Sequence, residues 1–331
     1  MIQDLNGASR MINFKKSFLI TILVFFTQLV GAEQYAESNV DMQVQKVGKY
    51  TYYVQGQAGT ATENEGFISN AGFIITDGGV VIFDALGTPS LANKLLKKIR
   101  EITNKPIKKV IASHYHADHI YGLQVFKKEG AQIFAPKGAE DYLNSENSEN
   151  LLETRRLSLD PWVNDNTFLV KPDKYINKNM DFTEGNIQFS IIYLGKAHSD
   201  GDLALIVKDD KALFSGDIIF EGRVPFVGDA DTKLWLEKLK SLETNGINVL
   251  IPGHGPHASE PTKAIAMTRE YIEELRTVFR TAVDDFIDFS EAFDNYNWDK
   301  WKNLPAYELA HRRNAYTVFL AVEKEMMNED N

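Results

Sequence analysis

The chain contains no cysteine, which excludes disulfide cross-links and thiolate metal ligands together. It must be held by its core alone, and any metal must be bound by imidazole and carboxylate. A basic excess is also missing: the formal net charge is -10, so no basic face is available to nucleic acid or to an anionic membrane. A small-molecule substrate is the expected partner. No repeat or low-complexity tract interrupts the chain, and no apolar run reaches the roughly 20 residues that a spanning helix needs. What is present is ordinary for a globular protein, 44% hydrophobic and 25% charged residues, enough for one large core and an appendage.

The first residues carry a processing pattern instead of a fold. Lys15 and Lys16 precede the apolar stretch Phe18 to Phe26, and Val30-Gly31-Ala32 supplies the small residues of a cleavage site before Glu33. Residues 1–32, with Met11 as a plausible initiator, therefore read as a secretory signal. A membrane anchor is the alternative, but charged and polar residues follow at once. Export to the periplasm or the exterior is expected, with no stable membrane insertion after cleavage.

Chemistry concentrates in Ser113-His114-Tyr115-His116-Ala117-Asp118-His119, directly after the short apolar run Lys109-Val110-Ile111-Ala112. If that run is a buried strand, His114 and His116 leave its end on one side and can grip a single ion. Asp118 and His119 fall at the start of a helix expected over Ile120 to Lys128, where negative charge is tolerated, and face a second position. Of the 7 histidines, His198 follows the apolar run Ile191 to Gly195 and His254 follows Ile251-Pro252-Gly253. Between them, Asp217 follows Leu213-Phe214-Ser215-Gly216. Each candidate ligand thus sits at the end of a strand, where loops of an α/β layer structure gather.

In this H-x-H-x-D-H signature, and in its later His, Asp and His in order, the chain resembles the metallo-β-lactamase superfamily, from about Val47 to His257. The resemblance implies an α/β fold, an αββα four-layer sandwich, and two divalent ions, zinc first with iron or manganese as alternatives. It implies that His114, His116 and His198 hold one ion, that Asp118, His119 and His254 hold the other, and that Asp217 bridges both. Asp217 stands where the main di-zinc β-lactamases have a thiolate, which favours the general hydrolase branches such as the glyoxalase II type. Asp84, at the end of the strand Val80 to Phe83, resembles the family's aspartate that braces the metal loop, with a plain turn residue as the alternative. The stretch from Ile218 to Thr232 is similar to periplasmic quinoprotein relay system zinc metallohydrolases and to sulfur-oxidation-linked relatives. Within it Arg223 is a candidate clamp for an anionic group, or else an exposed or Asp-paired arginine.

The expected organisation is a hydrolase domain over 33–259 and a helical extension over 260–331, the latter with helices over Glu260 to Asp288 and Tyr307 to Met327. Gly138 to Leu159, polar and rich in Asn and acid, is expected as one exposed helix followed by a loop. Asp200 and Asp202 flank Gly201 and read as turn formers. Tyr296, Trp298 and Trp301 read as core in preference to a pocket mouth. His257 reads as a residue behind the site or on the surface, and His311, with Arg312 and Arg313, as part of a solvated face.

Two divalent ions in such a set imply metal-assisted hydrolysis, through a metal-bound hydroxide, of an ester, thioester, lactam or related bond, with Asp118 positioned to orient the attacking group or pass a proton. An iron-dependent, persulfide-type oxidoreductase is the alternative that the same ligands permit. A β-lactamase is a further one, against which stand the missing cysteine and Phe220 where a lysine would be needed. The signal makes a direct prediction: N-terminal sequencing of exported material should find a chain beginning at or near Glu33.

Overall fold

The structure, a computed structural model, describes residues 35–242 and 244–329; the expected signal segment lies outside them. Four strands open it as an antiparallel meander: β1 (Val44–Lys46), β2 (Thr51–Val54), β3 (Ala71–Ile75) and β4 (Val80–Phe83). Along β4 the side chains alternate, Val80 and Ile82 into one apolar layer, Val81 and Phe83 into another, so an uninterrupted apolar run marks a strand buried on both faces. Thr88 then caps α1 (Pro89–Ile102), its hydroxyl accepting from the Leu91 N–H at 3.1 Å. Leu91, Leu95 and Ile99 turn to the sheet at helical spacing.

Parallel pairing carries the first sheet onward through β5 (Ile107–Ile111), α2 (Ala117–Ile120), α3 (Leu123–Lys128), β6 (Gln132–Pro136), α4 (Gly138–Leu143), α5 (Glu146–Ser158) and β7 (Lys174–Ile176). A second sheet follows from β8 (Met180–Glu184), β9 (Ile187–Gly195), β10 (Asp202–Val207), β11 (Ala212–Phe220), α6 (Thr232–Ser241) and β12 (Val249–His254). Its order is β12-β11-β10-β9-β8, with only β11 and β12 parallel. The chain closes with α7 (Pro261–Asp284), α8 (Phe289–Asn295) and α9 (Tyr307–Glu329).

Three apolar layers join these parts. Phe83, Ile111, Phe189, Leu205 and Phe214 fill the space between the sheets. Phe73, Leu91, Leu95 and Phe126 fasten α1 and α3 to the outer face of the first sheet. Trp235, Tyr271, Phe279 and Val318 lie with α6, α7 and α9 on the outer face of the second. The result is the expected αββα sandwich with a helical C-terminal extension, and no helix among the described residues is long and apolar enough to cross a membrane.

Several expectations change in detail. The single helix expected after the histidine motif is broken between α2 and α3, because Gly122 passes so close to the loop after β4 that a Cβ there would lie 1.9 Å from the Ala85 carbonyl oxygen. The stretch 138–159 forms α4 and α5 instead of one helix and a loop. Asp217 lies inside β11, not after it, at a bulge where Gly216 takes φ +52° and the pairing with β12 shifts register. Trp298 and Trp301 are core residues, as expected, but Tyr296 is not: it is 40% exposed, its hydroxyl turned to Glu274.

His311 is not on a solvated face. It is 1% exposed, stacked on Tyr307 and 3.0 Å through Nδ1 from the Tyr271 hydroxyl. Burial lowers its pKa from 6.5 to about 4, so the folded protein holds a neutral ring where the unfolded chain takes up a proton. Stability should be full above pH 6.5 and fall as the pH drops towards 4, by up to roughly 3 kcal/mol at about 1.4 kcal/mol per pKa unit. Denaturant unfolding of wild type and His311→Gln across this window should show a difference between the two that shrinks as the pH falls.

Candidate metal centre

Asp84 determines where the motif loop goes. Directly after β4 its backbone enters the left-handed region, φ +64°, a conformation that costs on the order of 1 kcal/mol or more for a residue with a Cβ. The turn aims both carboxylate oxygens at the loop: Oδ1 accepts from the Ser113 N–H at 2.6 Å and Oδ2 from His119 Nδ1 at 2.9 Å. One carboxylate therefore braces the loop at its start and at α2, the bracing that the resemblance implied, and leaves His119 Nε2 free to face the site.

The other rings are oriented by the same logic. His114 Nδ1 is 2.8 Å from Ser113 Oγ, and His254 Nδ1 donates to the Ile68 carbonyl at 2.7 Å; in both, Nε2 turns inward. Phe220 stacks on His254 with ring centroids 5.3 Å apart, and Trp235 meets His198 edge-on at 5.2 Å. Asn70 had no signature in the sequence. It fixes the His254 loop by donating to the Pro252 and Gly255 carbonyls, both at 2.8 Å, while its own N–H donates to the Gly253 carbonyl at 2.7 Å.

All the expected ligand residues come together. His116 Nδ1 is 2.9 Å from His114 Nε2 and 3.1 Å from His198 Nε2, three nitrogens on one point. Asp118 Oδ2 lies 3.4 Å from His119 Nε2 and 3.2 Å from His254 Nε2. Asp217 reaches both groups: Oδ1 is 3.2 Å from His119 Nε2, and Oδ2 is 3.2 Å from His254 Nε2 and 3.4 Å from His198 Nε2. Three clusters of ligand atoms close enough to hold a cation result, one of His114, His116 and His198, one of Asp118, His119 and His254, and one of His114, His119 and Asp217. Gly253 makes room for this, since a Cβ there would lie 1.9 Å from Asp217 Oδ1.

Electrostatics sets the two groups apart. Burial holds His114, His116 and His198 below the usual histidine range, His198 at about 3. Burial also disfavours a charged His119 or His254, but the carboxylates overcome it, Asp217 and Asp118 at both rings with Asp84 added at His119, and raise both pKa values. Asp118 and Asp217, in turn, are held well below the carboxylate range against the cost of their burial by these same imidazoles. Buried His119 Nε2 and Asp217 Oδ1 face each other at 3.2 Å without the geometry of a hydrogen bond, and neither has a hydrogen-bond partner elsewhere among the described residues. The neutral imidazoles of His114, His116 and His198, the carboxylates that favour charge at His119 and His254, and these unsatisfied atoms together fit divalent cations, which replace ligand protons on binding.

Around the ligands, Asp200 is the exposed turn residue expected, paired with Lys196 at 3.2 Å, whereas Asp202 is not: it is the first residue of β10, 2% exposed, and its carboxylate accepts from the Ser199 N–H at 2.9 Å. Burial pushes the Asp202 carboxyl up to about 7. His257 is an exposed residue whose Nδ1 lies 3.0 Å from the Tyr53 hydroxyl. Arg223 is neither exposed nor paired with an aspartate. It is 9% exposed, with Nη1 3.4 Å from the already donating His254 Nδ1. Its loop is tied to the extension: the Val224 N–H donates to the Pro305 carbonyl at 3.0 Å, the Val227 N–H to Asn314 Oδ1 at 3.0 Å, and Asn314 Nδ2 to the Pro225 carbonyl at 2.6 Å. Beside His116 opens a cavity of about 640 Å³, walled by α4, α5 and the 199–201 turn through Tyr115, Tyr142, Asn150, Ser199 and Asp229.

The sequence pattern of the metallo-beta-lactamase superfamily matches residues 64–254. A metallo-beta-lactamase type 2 from Elizabethkingia meningoseptica is 25% identical over 262 residues, covering 77% of this chain and 94% of that protein. A hydroxyacylglutathione hydrolase from Haemophilus influenzae is 26% identical over 174 residues, covering 51% of this chain and 77% of that protein. Among solved structures, the stereoselective inverting sec-alkylsulfatase Pisa1 from Pseudomonas sp. shares the fold with a TM-score of 0.67 at 20% identity, over 84% of this chain and 50% of its own. With its sandwich, its convergent His and Asp side chains and this match across more than half its length, the chain belongs to the metallo-beta-lactamase superfamily of metal-dependent hydrolases.

Proposed function

We propose that the protein is a dinuclear hydrolase in which His114, His116 and His198 hold one divalent ion, Asp118, His119 and His254 hold the second, and Asp217 serves both. Zinc is the metal we expect, with iron and manganese compatible with the same donors. The observation that supports this most is the position of the Asp217 carboxylate, within 3.4 Å of imidazoles from both triads. Two divalent ions supply Lewis acidity towards a carbonyl or phosphoryl oxygen and acidify water.

The chain's own residues supply the rest. Asp118 is 21% exposed at its side chain, against 4% for Asp217, so it is the carboxylate able to meet substrate and carry a proton to a leaving group. The cavity beside His116 presents hydroxyl, amide and carboxylate groups, which suits a small polar substrate with an ester, thioester, lactam or related bond. A β-lactam is disfavoured, because Phe220 is fully buried against His254 and offers no cation. Residues 33–259 are the hydrolase domain in this reading, 260–331 an extension that anchors the Arg223 loop, and the site of action is the periplasm or the exterior.

Chelation should abolish hydrolysis across a panel of thioesters, lactones, lactams and phosphoesters, and zinc or manganese should restore it for at least one; turnover that survives exhaustive chelation would end this reading. Asp217→Asn should lose at least one metal equivalent and most turnover, whereas His257→Ala keeps both metals. Asp84→Asn, which touches no ion, should cost about 10- to 100-fold in metal affinity or activity. Gly253→Ala should reproduce the metal loss of Asp217→Asn without altering a ligand, since its methyl occupies the place of Asp217 Oδ1. Metal analysis and steady-state rates on the purified variants check each outcome.

A further inference from the structure

α9 is apolar on two opposite faces. One face is accounted for: His311, Ala315, Val318 and Val322 are buried in the outer layer of the second sheet. On the other side Leu309, Tyr316, Leu320 and Met327 are 56, 49, 43 and 63% exposed. At about 100° per residue these four fall within about 40° of one another, a continuous strip directly opposite the buried face. An amphipathic surface helix would carry polar residues there.

The strip has a heptad rhythm. Adding the residues between its apolar positions gives Leu309, Arg313, Tyr316, Leu320, Glu323 and Met327, alternating steps of four and three as a coiled-coil seam does. The order is also symmetric about Val318: Leu309 mirrors Met327, Tyr316 mirrors Leu320, and Arg313 mirrors Glu323. We propose that this face is a self-association surface, on which α9 of a second copy of the chain packs antiparallel across a two-fold axis at Val318.

Charge chooses the partner and its direction. Antiparallel pairing of two copies sets apolar against apolar and places Arg313 opposite Glu323 twice, whereas parallel pairing would set Arg313 against Arg313 and Glu323 against Glu323. Neither residue has an ion-pair partner within its own chain among the described residues. Arg312, one position away, does: it is bound to Asp294 at 2.9 Å and lies over Phe293. Arg313 has only the ring of Phe226 at 5.5 Å. The helix is 23 residues long, about 34 Å at 1.5 Å per residue. A cleft beside the Met327 end, lined by Phe286, Phe289 and Met326, widens the apolar area, and Phe286 there is 97% exposed.

Sedimentation velocity on the purified, metal-loaded chain at micromolar concentrations tests this. A dimer is expected, and Leu320→Glu should make it monomeric with unchanged circular dichroism and metal content. Arg313→Glu and Glu323→Arg should each weaken the dimer at least about tenfold, because each sets like charges opposite one another, and the double variant should recover most of the loss. A wild-type monomer would overturn the proposal and leave the strip to some other partner. A dimer indifferent to Leu320→Glu, or a double variant no tighter than the single ones, would overturn it equally.

Discussion

Everything around the site follows from the cost of placing Asp217 where water cannot reach it. A buried carboxylate is unfavourable by several kcal/mol unless opposite charge surrounds it, and here His119, His198 and His254 approach it from three directions. Those imidazoles come from different parts of both sheets, so the carboxylate is stabilised only when the two halves of the sandwich have met. The bond from the Leu203 N–H to the Ser113 carbonyl at 2.7 Å joins them at the same spot. Fold and site are therefore one cooperative unit, and with imidazole and carboxylate as the donors its metal affinity depends on pH.

Much of this was legible because chemistry and periodicity coincide. The motif His114 to His119, together with His198, Asp217 and His254, marked the ligand set by residue type and by position at strand ends, and the apolar run of β4 marked a strand. Asp84 was legible only through resemblance, since one aspartate after a strand is as often a turn. Asn70 and Gly253 were not legible at all. What matters in them is a close approach to backbone or to Asp217 from more than 30 positions away in the chain, and no local pattern records such distances. His311 was misread for a related reason: the two arginines that follow it made its surroundings look solvated, yet on a helix neighbours in sequence point to different faces.

α9 shows how a helix can defeat simple periodicity. Its inner side packs on α7 and its outer strip is apolar as well, so the contrast between faces that identifies a surface helix is weak, and length alone revealed it. The same helix presents Asn314 inward to the loop that carries Arg223, while the neighbouring Arg313, exposed, lies over Phe226 of that loop. Substrate-side geometry and the outer surface are thus one residue apart.

That inward bond ties the loop to a late part of the chain. The Val227 N–H finds its acceptor in Asn314, 87 residues later, and the Val224 N–H finds its own in Pro305. Both sheets and every proposed ligand precede the residues that fasten the Arg223 loop. A chain cut short before Pro305 would therefore keep all its metal-binding residues and lose the bonds that secure that loop.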